Sequence, residues 1–225
     1  MSHTIHARAL VASLRRRLGN VAHVVPPTSV FDGIYHSNHW GGDESRSGTG
    51  SSLAQTRVVR QVLPELLSEL GCRSMLDAPC GDFNWLSQVP LDVEYFGYDI
   101  VGRAIASNTQ RYGSDRVRFV RGDITSSRLP RVDLILCRDC LVHLSYSDAF
   151  LALRNFLRSG ARYLLTTTFP GRANRDIVTG AWRPLDLERP PFKFPKPARV
   201  INEVCTESSG SYQDKSLGLW DLSQW

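Results

Sequence analysis

None of the apolar stretches in the 225 residues approaches the ~20 consecutive positions that span a membrane. The start, Met1-Ser2-His3-Thr4, lacks the charged-then-apolar layout of a signal peptide, so a cytoplasmic protein without a membrane span is the expectation. The cysteines, Cys72, Cys80, Cys137, Cys140 and Cys205, are odd in number and irregular in spacing, which argues against a disulfide framework. Cys137-Arg138-Asp139-Cys140 has C-x-x-C spacing, but a structural zinc wants a second pair or histidines at ligand spacing, and only His143 stands near. No metal is expected, and the thiols read as reduced and packed. The formal net charge is +5, yet aromatic-basic modules of the RNA-binding kind are missing and the one basic run is Arg15-Arg16-Arg17. A solvated basic face is the plainer reading, which disfavours nucleic acid as a partner. Also missing is G-x-G-x-x-G, the loop that cradles a dinucleotide pyrophosphate.

What is present is a hydrophobic content of 42% with 22% charged residues, ordinary for a globular chain long enough to build one α/β core. The most informative stretch runs from Met75 to Trp85, Met-Leu-Asp-Ala-Pro-Cys-Gly-Asp-Phe-Asn-Trp. An apolar run ends in Asp77, turns on small residues and Gly81, and re-enters a helix-like segment. A second β-like run, Tyr95-Phe96-Gly97-Tyr98, ends in Asp99, 22 positions after Asp77. Strand, loop, helix and strand with that second acid place a carboxylate where a ribose 2′,3′-diol is gripped. Asp77 and Pro79 stand where a pyrophosphate needs bare N–H groups and no negative charge. An acid there suits a cationic ligand, such as an adenosine carrying a sulfonium and an amine.

Leu76-Asp77-Ala78-Pro79-Cys80-Gly81 resembles the first motif of class I S-adenosylmethionine-dependent methyltransferases, apolar-apolar-Asp-x-x-x-Gly, with Pro and Cys where Gly is commoner. The resemblance implies S-adenosyl-L-methionine as cofactor and an α/β fold: a Rossmann-like, doubly wound, mainly parallel seven-stranded sheet with a C-terminal antiparallel hairpin. It also implies that an acid and its apolar neighbour after the third strand, here Gly122-Asp123-Ile124, flank the adenine, and that the segment after the fourth strand, including Cys137 and Arg138, passes under the methionine part.

The pattern along the chain agrees with alternating strands and helices. Residues 1–51 read as an N-terminal arm, with a basic amphipathic stretch over Ala7–Leu18, followed by a covering loop. Residues 52–225 read as the methyltransferase domain. A helix capped at Ser51 or Ser52 should run to about Leu70, kinked or broken at Pro64. Strands are expected near Ser74–Asp77, Glu94–Tyr98, Val117–Arg121, Asp133–Cys137 and Tyr163–Thr167. Helices are expected near Phe83–Gln88, Gly102–Tyr112 and Tyr146–Ser159. Five prolines between Trp182 and Pro197 exclude a strand or helix interior there and suggest a lid over about 170–198. Val200–Cys205 and Leu217–Leu222 look like the closing hairpin.

Ligands of open α/β sheets bind beyond the carboxyl ends of the strands, which nominates Asp77, Ala78, Pro79, Gly81, Asp82 and Trp85, then Asp99 and Ile100, then Gly122, Asp123 and Ile124. The early loop carries Trp40, Ser47, Gly48, Thr49, Gly50 and Ser51, which should fold over the methionine end of the cofactor; a flexible linker is the plain alternative. His143 follows Asp139 by four positions, so on a helical turn the carboxylate would orient the imidazole. A histidine with an ordinary, near-neutral pKa is a general base for an acceptor hydroxyl; a packed structural histidine is the alternative. Tyr35, His36 and His39 of the early loop, with Trp182, Arg183, Asp186, Glu188, Phe192, Lys193 and Phe194 of the lid, offer aromatic faces and polar forks that suit a sugar ring. Trp40 with Ser47-Gly48-Thr49-Gly50-Ser51, the Asp-Ala-Pro-Cys-Gly-Asp loop and Pro191-Phe192 together resemble a bacterial group of methyltransferases that modify glycans and secondary metabolites. The expectation is therefore O-methylation of a saccharide hydroxyl, with a homodimer as the one assembly considered. RNA methylation, methylation of another small molecule, and a non-catalytic cofactor-binding module are the alternatives.

Overall fold

A computed structural model describes residues 26–224; the basic stretch Ala7–Leu18 lies outside them. Central strands buried on both faces read as continuous apolar runs, and β1 (Ser74–Asp77) and β4 (Leu134–Cys137) are of this kind, with Met75, Leu76, Leu134, Ile135, Leu136 and Cys137 wholly buried. Around them β2 (Glu94–Asp99), β3 (Val117–Arg121) and β5 (Tyr163–Thr168) pair in parallel, while β7 (Ser216–Asp221) runs antiparallel to β5 and to β6 (Arg199–Asn202). The order β3-β2-β1-β4-β5-β7-β6 is the expected seven-stranded sheet with its C-terminal hairpin. Its direction of winding reverses between β1 and β4, where a crevice opens beyond the strand ends. Edge strands β3 and β6 carry Arg118, Arg121 and Arg199, charges that discourage pairing with another chain.

Helices cover both faces. On one lies α2 (Arg57–Glu69), burying Val59, Leu63, Leu66 and Leu67 against Met75, Tyr95 and Leu165. On the other lies α4 (Tyr146–Ser159), burying Phe150, Leu153 and Phe156 against Ile135, Leu164 and Trp220. The Ser145 hydroxyl caps α4 at the Asp148 N–H, and Gly160 ends it in the left-handed region at φ 76°. Between β2 and β3 runs α3 (Gly102–Tyr112).

Four expectations change. The segment 27–37, read as arm and loop, is a helix, α1 (Pro27–Ser37), with proline in its first turn, where a missing N–H costs nothing. Ser51 and Ser52 do not start α2: Thr49–Ser51 form a separate 3₁₀ turn, the Leu53 N–H is taken by the Glu44 carboxylate at 2.8 Å, and the helix begins at Arg57 and continues through Pro64. Phe83–Gln88 is not a helix, because Phe83 sits at φ 59° and packs its ring against Tyr95, Tyr112 and Phe119; a 3₁₀ turn, Leu86–Gln88, is what forms. The proline-rich segment is irregular as expected but is no loose cover. Leu185, Leu187, Phe192 and Phe194 lie in the core, and Asn174 and Asp186 satisfy its backbone at Asp186, Pro190 and Gly171.

A Cβ at Gly160 meets nothing closer than 3.8 Å, so Gly160→Ala isolates the backbone term. The left-handed alanine should cost about 1–2 kcal/mol, lowering the thermal midpoint by about 2–4 °C per kcal/mol in a domain of this size. An unchanged midpoint in a thermal melt would contradict the assigned C-cap.

Candidate active site

The motif loop is pinned on three sides. The Ala78 N–H donates to Leu136 of β4, the Cys80 N–H to Tyr98 of β2, and the Asn108 amide of α3 to the Gly81 carbonyl, each at 2.9 Å. This holds Asp77 and Asp99 side by side at the crevice floor. Asp99 accepts from the Gly81 N–H at 2.9 Å and the Val101 N–H at 2.8 Å, and Asp77 accepts from the Tyr95 hydroxyl at 2.8 Å. Burial pushes the Asp77 carboxyl up to about 8, with the Tyr95 hydrogen bond opposing and neighbouring Asp99 adding to the rise. Burial likewise pushes Asp99 up to about 6 against its backbone donors. Buried acids raised in this way favour a cationic ligand that restores their charge.

Above them lies a cleft of about 1060 Å³ with its open mouth counted, near the upper end of small-molecule sites. Its walls bring together most of the nominated residues: Asp77, Pro79, Gly81, Asp82, Trp85, Asp99, Ile100, Gly122, Asp123, Ile124, Arg138, Asp139 and His143, with Tyr35, Trp40, Ser47 and Ser51 from the N-terminal side. Asp123 has one oxygen engaged by the Thr125 N–H and hydroxyl. Ala78, just past β1, and Cys137 of β4 are buried and do not line the cleft, since their side chains pack into the core.

The early loop is tied down as a strap. The Asp82 carboxylate accepts from the Ser45 hydroxyl at 2.9 Å, the Arg46 N–H at 2.8 Å and the Ser47 hydroxyl at 3.2 Å. The strap lies so close to the motif loop that a Cβ on Gly81, at φ 53°, would stand 2.2 Å from the Ser47 Oγ. Trp40 comes to rest on the His143 ring, centroids 4.6 Å apart. Glycines 48 and 50 and Thr49 face a second cavity, about 870 Å³ with its mouth, which also includes Phe169, Trp182, Glu207, Tyr212 and Lys215. Trp40, Ser47, Asp139 and His143 line both spaces.

Asp139 and His143 meet there, but not as an orienting pair. Asp139 stands at φ 49°, outside any helical turn, and its carboxylate is taken by the Lys215 ammonium at 2.5 Å and the Arg138 guanidinium at 3.2 Å. Burial opposes its ionisation, yet these two cations hold it down at about 2. The His143 Nδ1 lies 3.0 Å from the Ala181 carbonyl oxygen. A carbonyl accepts and never donates, so Nδ1 carries the proton and the Nε2 lone pair has no partner among the described residues. Burial pushes His143 down to about 4 rather than leaving it near neutrality.

Three substrate candidates move elsewhere. Arg183 is fully buried and donates to the Leu141 and Leu144 carbonyls at 2.6 and 2.8 Å, clamping the turn that carries His143. Phe192 is fully buried against Phe150 and Tyr146. His39 is exposed, lines neither space, and closes α1 through its N–H to Ile34. Of the other lid residues, Asp186 and Phe194 are buried while Glu188 and Lys193 face solvent. Sequence reasoning missed Ser45, Phe169, Ala181, Glu207, Tyr212 and Lys215. One legible signal was a lysine at 215 opening the apolar run Ser216-Leu217-Gly218-Leu219-Trp220.

Residues 76–165 match a family model described as a methyltransferase domain. Among solved structures, the Burkholderia thailandensis 1,6-didemethyltoxoflavin-N1-methyltransferase, with S-adenosylhomocysteine bound, is 20% identical over 88% of this chain and 91% of that one, with a TM-score of 0.61. The N-methyltransferase NodS from Bradyrhizobium japonicum WM9 is 19% identical over 60% of this chain and 73% of that one, TM-score 0.49. The methyltransferase domain of bacterial CtHen1 is 15% identical over 52% of this chain, which covers 66% of that domain, a little under two thirds, at a TM-score of 0.45. The first of these likenesses carries the fold. No curated protein matches the chain.

The raised Asp77 carboxyl has a consequence for stability. In the unfolded chain it ionises near its ordinary 3.8, so between roughly pH 4 and 8 the folded protein holds the proton more tightly, and stability falls as pH rises. Asp77→Asn keeps an acceptor for Tyr95 and removes this loss. The variant should melt higher than wild type at pH 8, with the gap closing towards pH 4. Equal midpoints at pH 8 would refute the buried, proton-holding carboxyl.

Proposed function

We propose that this chain, an S-adenosylmethionine-dependent methyltransferase, transfers the methyl group to a hydroxyl of a saccharide, with His143 as general base. The carrying observation is a neutral imidazole at the junction of the two cavities, its Nδ1–H fixed on the Ala181 carbonyl and its Nε2 lone pair unspent. The second cavity has the mixed character that a sugar ring requires, with Phe169, Trp182 and Tyr212 for C–H faces and Asp139, Glu207 and Lys215 for hydroxyls.

The residues present fit the cofactor. Asp99, with an accepting oxygen beside the bare Gly81, would grip the ribose diol. Asp77 and the other acids of the floor match a sulfonium and an amine. Asp123 and Ile124 line the same cleft and are assigned to the adenine. Bound S-adenosylmethionine supplies an electrophilic methyl carbon on a sulfonium leaving group. The strap residues Trp40, Ser47 and Ser51 enclose this end of the cleft and exclude water. His143 would face the acceptor hydroxyl, its Nε2 taking the proton as the oxygen is methylated, and that proton would end on the imidazole.

Incorporation of labelled methyl into saccharide pools tests the acceptor class; label found in RNA alone would overturn it. A positioned base contributes roughly 10²–10⁴-fold, so His143→Ala should lose about that much kcat while binding cofactor normally. Because the wild-type base loses its proton near pH 4, the rate should be flat through neutrality and fall as pH drops towards 4. Retained turnover in the variant would make His143 structural. Asp99→Ala should weaken cofactor binding by about 1.5–3 kcal/mol, the worth of a charge-assisted contact; calorimetry showing equal affinity would remove the ribose assignment.

A further inference from the structure

Around the second cavity the cations are buried or closely paired, and the charged group most open to a ligand is an acid. Lys215 is the one cation lining it among the described residues, and its ammonium is bound to Asp139 at 2.5 Å. Arg138, behind Asp139, is bound through two nitrogens to the buried Glu203 at 2.6 and 2.9 Å. Arg172 stacks outside on Phe169 and Tyr212 and is bound through two nitrogens to Asp214 at 2.6 Å. The buried Arg183, next in the chain to Trp182, is spent on the Leu141 and Leu144 carbonyls, so none of these cations is open to a ligand. Glu207 is held more loosely: one oxygen accepts from the Thr49 hydroxyl at 2.6 Å, and the other accepts from the Cys205 thiol at 3.8 Å and stands 3.9 Å from the Lys215 ammonium, a long ion pair.

An acceptor bearing a phosphate or carboxylate would meet the Glu207 carboxylate here and no cation free of a closer partner. An acceptor bearing an ammonium would meet a half-buried carboxylate in the same cavity as Trp182, an aromatic ring over which no cation is stacked among the described residues. Resting on the saccharide reading above, we propose that the acceptor is an amine-bearing saccharide, its ammonium held by Glu207 near the Trp182 ring while a neighbouring hydroxyl faces His143. The net positive charge of the whole chain does not enter, because it is not gathered at this cavity. Glu207 acts on binding specificity, and Thr49 occupies only its other oxygen.

The test compares methyl transfer by the full chain to three oligosaccharide sets: chitosan oligomers, which carry free amines, chitin oligomers, in which the amines are acetylated, and the acidic oligomers of alginate. The expected kcat/KM is about tenfold higher for chitosan than for either other set. Glu207→Gln should erase that preference, raising KM for chitosan alone, with cofactor affinity unchanged as the control for folding. Thr49→Val, which frees the other Glu207 oxygen, should keep the preference. Equal rates on all three sets, or an undiminished preference in Glu207→Gln, would overturn the inference and leave saccharide methylation standing. A product methylated on nitrogen would place the amine at His143 instead and overturn the Glu207 assignment. If none of the sets is methylated and labelled methyl enters a non-saccharide acceptor, the saccharide reading fails and this inference with it.

Discussion

Two carboxylates buried side by side, Asp77 and Asp99, impose the constraint on which the site depends. Charged groups are expensive to bury without partners, and each of these two has acquired its own. Asp99 is held by backbone N–H groups of the loop that follows Asp77, and Asp77 by the Tyr95 hydroxyl from the neighbouring strand. The motif loop must therefore close tightly over the strand ends, and that closure requires a bare residue at 81 and an amide from α3 on its carbonyl. The remaining electrostatic cost, visible as raised proton affinity at both carboxyls, is a preference for a cation built into the floor.

A third acid of the same loop works outward. Asp82 collects three donors from residues 45–47 and so converts a stretch rich in glycine and serine into a fixed strap. The strap then continues to Thr49, which bonds Glu207 beyond the C-terminal hairpin strand β6. Cofactor cleft and second cavity are consequently roofed by one segment, and Trp40 sits where they join, against the residue that would take the proton. Loops carry binding function when a rigid scaffold positions them, and here the scaffold is the motif loop itself.

His143 shows how a backbone carbonyl can replace a carboxylate as the orienting group. The 3₁₀ turn that bears it is laced to residues 180–183 by the Gly180 and Arg183 N–H groups and by the buried Arg183 guanidinium. Rigidity of the imidazole comes from that lacing, and its tautomer from Ala181. Asp139 is left to neutralise Lys215 and Arg138. The segment 170–198 thus acts as a buttress rather than a lid, which explains why Phe192 and Phe194 point into the core.

The sequence by itself determined the parts that depend on local periodicity and on residues adjacent in the chain. The five parallel strands, the helices Gly102–Tyr112 and Tyr146–Ser159, the doubly wound character implied by alternation, and the acids at the strand ends all follow from apolar runs and their breaks. Only the tertiary structure decided which long-range partner each polar group would take. Four-residue spacing suggested Asp139 for His143, but lysine from β7's approach and arginine beside it compete more strongly for a carboxylate than a neutral imidazole does. Composition suggested a lid at Arg183 and Phe192, but burying apolar area outweighed exposing it to a ligand. The Glu207 cavity wall was illegible for the same reason: Thr49, Lys215 and Glu207 are separated by up to 166 positions, and no pattern within a segment encodes a contact made across the whole fold.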